Sequence, residues 1–221
     1  MLKRGGVMYL SLDGHRWRHV WVVSDIHGCY QLLMQHLKRQ KFNPYQDLLI
    51  SVGDLIDRGP ESLKCLHLIT EKWFRAVRGN HEQMALDAIA SQTYALWLMN
   101  GGAWFAELDD DSKAQALTLF AACDKLPWVI EITCRNGLNV IAHADYPASC
   151  YVRDKPVDKH SLLWDRSRIS KLMAGKGEGI GGADHFWFGH TPLEKRIDFN
   201  SLHYIDTGAV FGGTLTLAQL Q

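Results

Sequence analysis

Five segments of the chain end a short apolar run with side chains that bind metal. They are Trp21-Val22-Val23-Ser24-Asp25-Ile26-His27, Leu48-Leu49-Ile50-Ser51-Val52-Gly53-Asp54, Phe74-Arg75-Ala76-Val77-Arg78-Gly79-Asn80-His81, Val140-Ile141-Ala142-His143 and Phe186-Trp187-Phe188-Gly189-His190. Runs rich in Val, Ile and Phe read as buried strands. Ligands in open α/β sheets collect beyond the carboxyl ends of such strands. Two Asp, an Asn and three of the four His delivered this way make a mixed oxygen and nitrogen set, suited to Mn²⁺, Fe or Zn²⁺. That is more than one open catalytic metal takes from protein. The pattern therefore points to two ions close together, an arrangement that hydrolyses phosphate esters.

The elements that must hold these residues follow from periodicity. Residues 7–12 suit a short edge strand. After the first buried strand, Tyr30, Leu33, Met34 and Leu37 share one helix face, and Lys38, Arg39 and Lys41 suit its carboxyl end. A strand over 47–52 leads to Gly59-Pro60, with Pro60 expected in the first turn of a helix continued by Leu63, Leu66 and Ile69. A third strand over 73–77 runs into a helix from about residue 81. Strand–helix repeated in this way is an α/β signature. Residues 84–126 read as mainly helical, with Ser112 and Gln115 as a capping box and Leu117, Phe120 and Ala121 as an apolar face. Strands over 128–134 and 138–143 are joined through Asn136-Gly137, a hairpin signal. Residues 146–182 read as loop and short helix, and strands over 185–188, 202–206 and 214–219 follow.

Bulk properties narrow the class. The chain has 221 residues, 47% of them hydrophobic, enough for one sizeable core. The expectation is a single domain over 1–221, with 84–126 as a helical insert beside the site. Lys plus Arg equals Asp plus Glu, at 24 each, so no basic nucleic-acid surface is expected. Five cysteines at 29, 65, 123, 134 and 150 form neither a disulfide framework nor a zinc pairing. The first twenty residues are broken by Gly5, Gly6 and Gly14 and hold no signal-peptide core. No apolar stretch approaches the ~18 residues of a membrane span. These features lead to the expectation of a soluble, cytoplasmic protein, and nothing in them bears on oligomeric state.

Taken singly, each polar cluster is modest, and Gly53 and Gly79 could be ordinary turn residues. Taken together, Ser24-Asp25-Ile26-His27-Gly28, Gly53-Asp54-Leu55-Ile56-Asp57-Arg58-Gly59, Arg78-Gly79-Asn80-His81-Glu82, His143-Ala144 and Gly189-His190-Thr191 stand in order, each after a strand. This set resembles the phosphoprotein phosphatase family of metallophosphoesterases, with its G-D-x-H-G, G-D-x-x-D-R-G and G-N-H-E motifs followed by two histidines. Within that family it is most similar to the bacteriophage lambda-type phosphatases and their enterobacterial relatives. The resemblance runs from about Trp21 to Leu220 and includes His143-Ala-Asp-Tyr-Pro147 and Tyr204-Ile-Asp-Thr-Gly-Ala-Val-Phe211.

The resemblance implies a four-layer α-β-β-α fold, two mixed sheets flanked by helices. It implies two divalent ions, Mn²⁺ foremost with Fe or Zn²⁺ as alternatives. Asp25, His27 and Asp54 would hold the first; Asp54, Asn80, His143 and His190 would hold the second, with Asp54 bridging. A shared hydroxide would attack phosphorus in line, His81 would protonate the leaving oxygen as general acid, and Asp57 would orient His81. Arg58 would grip phosphate oxygens, joined by a second arginine from Leu162–Arg168, for which Arg166 matches better than Arg168. The substrates implied are phosphoserine and phosphothreonine in proteins or peptides, with phosphotyrosine also plausible because the metal site recognises phosphate more than its carrier. Two alternatives stand beside this. A bis(5′-nucleosyl)-tetraphosphatase would share D-x-H-G and G-N-H but tends to lack the counterpart of Asp57 and to carry Asp where this chain has Glu82. A non-catalytic metal-binding module would have lost ligands.

The sequence departs from the family pattern at Ser24, which stands where Gly is usual. If the position needs positive φ, strain or weaker metal affinity would follow. Other signals are weaker. The Gly175–Gly182 stretch reads as a mobile loop near the substrate. Asp109-Asp110-Asp111 reads as a solvated turn before a Ser112 cap. Most of the eight tryptophans read as core, and Cys29 as a small packing residue. Histidines 15, 19, 36, 67, 160, 185 and 203 read as structural or solvated.

Overall fold

The computed structural model describes residues 8–221. The elements in chain order are β1 (Tyr9–Asp13), β2 (Val20–Val23), α1 (Tyr30–Arg39), β3 (Leu48–Ser51), α2 (Ser62–His67), β4 (Phe74–Ala76), α3 (Asn80–Ser91), α4 (Ala95–Met99), α5 (Asp110–Cys123), β5 (Val129–Cys134), β6 (Gly137–Ile141), α6 (Lys159–Trp164), α7 (Ser167–Met173), β7 (His185–Phe188), β8 (Ile197–Phe199), β9 (Leu202–Tyr204) and β10 (Leu217–Gln219). Short 3-10 turns add Gly102–Phe105 and Ala209–Phe211.

Two mixed sheets form. One has the order β10-β2-β3-β4, with β2, β3 and β4 parallel and β10 antiparallel at the edge. The other has the order β1-β5-β6-β7-β9-β8. In it, β6, β7 and β9 run parallel and β5–β6 is the expected hairpin, turning at Gly137 with φ 111°.

Alternation along the strands builds the layers. Val20, Val22, Leu48 and Ile50 face Ile130, Ile132, Ile141 and Trp187 in a core between the sheets. Their neighbours Trp21, Val23 and Leu49 face outward to Leu33, Leu66, Ala85 and Phe120 on helices α1, α2, α3 and α5. On the far side, Val140, Phe186 and Leu202 pack on Leu162, Leu163 and Ile169 of α6 and α7. The result is the four-layer α-β-β-α arrangement expected from the sequence. No described helix is long and apolar enough to cross a membrane.

Several local expectations change. The edge strand is β1, displaced to Tyr9–Asp13; Val7 lies outside the described residues. Pro60 precedes the Glu61 N-cap of α2 rather than standing in its first turn. Helix α5 starts earlier than expected, because the Asp109 side chain accepts from the Ser112 backbone N–H and is itself the cap. Asp110 and Asp111 then sit in the first turn, where negative charge suits the helix dipole. The buried face of α5 is Ala116, Leu119, Phe120 and Cys123, whereas Leu117 is 41% exposed. Strand β8 was not expected; it pairs with β9 at the sheet edge. The 175–182 stretch packs on Leu172 and Phe199 through Gly177, and none of its residues lines the cavity described below.

Candidate active site

Each motif begins where a strand ends. Asp25 and His27 follow β2, Asp54 follows β3, Asn80 and His81 open α3 after β4, His143 follows β6 and His190 follows β7. Both sheets thus deliver their carboxyl ends to one place. The turns are sharp: His27, Asp54, Asp57, Arg58 and His190 all have positive φ, between 42° and 76°. Non-glycine residues reach this region only when the surroundings hold them there, and such strain clusters at functional sites. Ser24 is not among them, so the strain considered from sequence does not arise. It is buried, and its hydroxyl accepts from the Thr216 N–H at 3.1 Å.

Asp54 is the centre. Its carboxylate lies 3.5 Å from His27 Nε2 and 3.4 Å from His143 Nε2. Ligand atoms of Asp54, His143 and His190 lie within 4.8 Å of one another, as do those of His27, Asp54 and His81. Asn80 Oδ1 is 2.8 Å from His143 Nε2 and 3.0 Å from His190 Nδ1. Asp25 joins through Oδ2, which accepts the His190 backbone N–H at 2.9 Å.

These residues fit divalent cations on four observations. First, His27 and His143 donate Nδ1–H to the carbonyls of Ile56 and Val52, each at 2.8 Å, which turns their Nε2 lone pairs inward. Second, Asp25 Oδ1 is buried without a hydrogen-bond partner. Third, burial pushes His27 down to about 4 and His190 down to about 3, so the imidazoles stay neutral. Fourth, negative charge is crowded. Burial, then Asp206 and Asp54, push Asp25 well above the ordinary carboxylate range, and burial and Asp54 push Glu82 up to about 7. A cation relieves that crowding and satisfies the converging lone pairs. One His27 lone pair already faces a cationic group, Arg58, whose Nη1 donates to Nε2 at 2.6 Å.

Around the centre, His81 Nδ1 pairs with Asp57 Oδ2 at 2.7 Å, both fully buried. Burial works against charge on His81, but Asp54 and Asp57 together hold its pKa above the ordinary histidine value. Arg58 and Arg166 both line the cavity, and Arg166 donates to the His190 carbonyl. Arg168 points elsewhere: it pairs with Asp145 at 2.9 Å and donates to the Tyr146 and Ala148 carbonyls. Glu82 ties two motifs together, accepting the backbone N–H groups of Asp54, Leu55 and Gly79 at 2.8–3.0 Å. None of the histidines set aside from sequence lines the cavity.

A family model for calcineurin-like phosphoesterases matches residues 18–194. The chain belongs to that family. Among its relatives it is 60% identical over 214 residues to serine/threonine-protein phosphatase 1 of Salmonella typhimurium, covering 97% of each chain. It is 45% identical over 213 residues to serine/threonine-protein phosphatase 2 of Escherichia coli, covering 96% of this chain and 98% of the relative. A solved structure described as a putative diadenosine tetraphosphatase superposes with a TM-score of 0.71 at 23% identity, covering 97% of this chain and 94% of the other. That likeness concerns the phosphoesterase fold.

Sequence reasoning passed over several residues of the cavity. Trp164, Asn100, Asp206 and Phe211 line it. Asp206 was within reach, since it follows β9 just as the other polar residues follow their strands. Trp97 and Trp104 belong to the core, as expected of most of the tryptophans, and both indoles also bond to Asp57. Nothing in their spacing could have revealed this.

Proposed function

We propose that the chain is a metal-dependent serine/threonine protein phosphatase that hydrolyses phosphomonoesters, phosphotyrosine included. Asp25, His27 and Asp54 would hold one divalent ion, and Asp54, Asn80, His143 and His190 a second, with Mn²⁺ foremost. When bound, such ions would activate a water for in-line attack and neutralise phosphate charge. Arg58 and Arg166, from opposite sides of the chain's order, offer planar donor forks to phosphate oxygens. His81 gives its Nε2 proton to the departing serine or threonine oxygen, and Asp57 holds the ring through Nδ1.

The observation that carries this reading is the His81–Asp57 pair at 2.7 Å, set at a cavity lined by Arg58 and Arg166. A leaving alkoxide needs such an acid. The presence of Asp57 and Glu82 weighs against the dinucleotide hydrolase, and the filled ligand positions weigh against a module without turnover. The two full-length relatives named as serine/threonine phosphatases support the substrate class. A cytoplasmic location accords with five free thiols. The test is hydrolysis of a phosphoserine peptide by Asp54→Asn and His81→Asn proteins. Each should lose at least about 100-fold in rate; full activity in either would sink the mechanism.

A further inference from the structure

Asp57 is surrounded by donors. It is fully buried, and its Oδ1 accepts from the indole Nε1 of Trp97 at 3.0 Å and of Trp104 at 2.8 Å. Its Oδ2 accepts from Trp97 Nε1 at 2.9 Å and faces His81 Nδ1 at 2.7 Å. An indole nitrogen donates and never accepts. A protonated Asp57 would have to turn its O–H against an indole N–H or take over His81 Nδ1. With both indoles in place, the consistent arrangement is an Asp57 anion accepting Nδ1–H from His81. That leaves His81 Nε2 as the nitrogen toward the site, 3.9 Å from Asp54 Oδ2.

Both indoles come from one short segment, α4 and the Gly102–Phe105 turn, which lies 40 and 47 residues beyond Asp57 in sequence. The segment grips the motif a second time: Arg58 N–H donates to the Gly101 carbonyl at 3.1 Å. Glycine is required at the turn, because a Cβ on Gly101 would meet Arg58 Cγ at 2.7 Å and one on Gly102 would meet Trp97 Nε1 at 2.5 Å. Aromatic packing locks the donors, with Trp97 against Phe105 and Phe120 at 5.1 and 5.5 Å and edge-on to Trp104 at 6.2 Å. A buried tryptophan in a purely structural role needs any one acceptor. Here two tryptophans share the same carboxylate, the one that orients His81.

We propose that Trp97 and Trp104 are positioning residues for proton transfer: their indole N–H groups fix the Asp57 anion, which fixes the orientation and tautomer of His81. The inference rests on the reading of His81 as the general acid. In that step a hydroxide oxygen bonds to phosphorus as the bond between phosphorus and the leaving oxygen breaks, and that bond's electron pair stays on the leaving oxygen. The proton on His81 Nε2 joins that oxygen, and His81 is left neutral, still donating Nδ1–H to Asp57.

The test compares two substrates in the Mn²⁺-loaded full chain. A phosphoserine peptide has a leaving oxygen that needs a proton; p-nitrophenyl phosphate has one that departs as the anion. Trp104→Phe should lower kcat on the peptide about tenfold while changing p-nitrophenyl phosphate hydrolysis less than about twofold, with KM for both unmoved. Trp97→Phe sits deeper and is judged on the ratio of the two rates, since a folding defect lowers both alike. Equal loss on both substrates, or no loss on the peptide, would overturn the proposal. His81→Asn is measured alongside and should give the same split, larger. If His81→Asn shows no split, the general-acid reading fails and this inference with it. If it splits and the tryptophan variants do not, the positioning inference alone fails.

Discussion

Two glycines flank the centre for different physical reasons. Gly53 has φ +98°, a conformation that side chains rarely adopt. Gly79 has an ordinary φ of −91°, but a Cβ there would land on the Asp54 carboxylate and backbone and 2.7 Å from Glu82 Oε2. Gly79 is therefore a matter of room: the Gly79-Asn80-His81-Glu82 turn can approach Asp54 only without a side chain. Gly79→Ala should cost about 100-fold in kcat, the usual penalty for displacing a reacting group by about 1 Å, read from phosphate release on a phosphoserine peptide. A wild-type rate would show that Asp54 tolerates the shift. At this scale the ligand candidates were legible because each is a polar residue following an apolar run. The indoles on Asp57 were not, because a tryptophan in an apolar segment looks the same whether its N–H meets a carbonyl or a carboxylate.

Helix α5 shows how an element can be foreseen and its orientation missed. Apolar residues lie nearly all round it, so periodicity left Leu117, Phe120 and Ala121 as good a face as Ala116, Leu119, Phe120 and Cys123. Tertiary packing decides between them. Phe120, 1% exposed, completes the aromatic cluster of Trp97, Trp104 and Phe105, whereas Leu117 stays on the surface. Phe120→Ala should then cost about 3–5 kcal/mol, each kcal/mol lowering Tm by about 2–4 °C in a chain of this size. Leu117→Ser should stay within about 0.5 kcal/mol. Chemical denaturation of both variants checks this, and the opposite ranking would restore the face expected from sequence. Strand β8 was missed for a related reason: Ile197-Asp198-Phe199 is only three residues long, too short for alternation to register.

At the scale of the whole molecule, the two sheets pack their apolar faces together and bring their strand ends to a common rim. Strand hydrophobicity and order were enough to foresee an α/β fold with ligands at its strand ends, whereas the packing of two sheets followed from the family resemblance. Loops set the fine geometry, and positive φ at residues such as Asp57 and Arg58 leaves no trace in composition. The carboxylates of Asp25, Asp54, Asp57, Glu82 and Asp206 are all buried at this rim. Cations that bind only the folded chain should stabilise it, by about 2.7 kcal/mol at a concentration 100 times Kd. A thermal melt of metal-stripped protein should therefore shift upward with Mn²⁺, and an unchanged melt would count against cation binding at the rim. The most direct test of the central claim is phosphate release by metal-stripped protein, with and without Mn²⁺, from a phosphoserine peptide and from diadenosine tetraphosphate side by side. The account predicts Mn²⁺-dependent hydrolysis of the peptide and little of the dinucleotide. Preference for the dinucleotide, or peptide hydrolysis indifferent to metal, would contradict it.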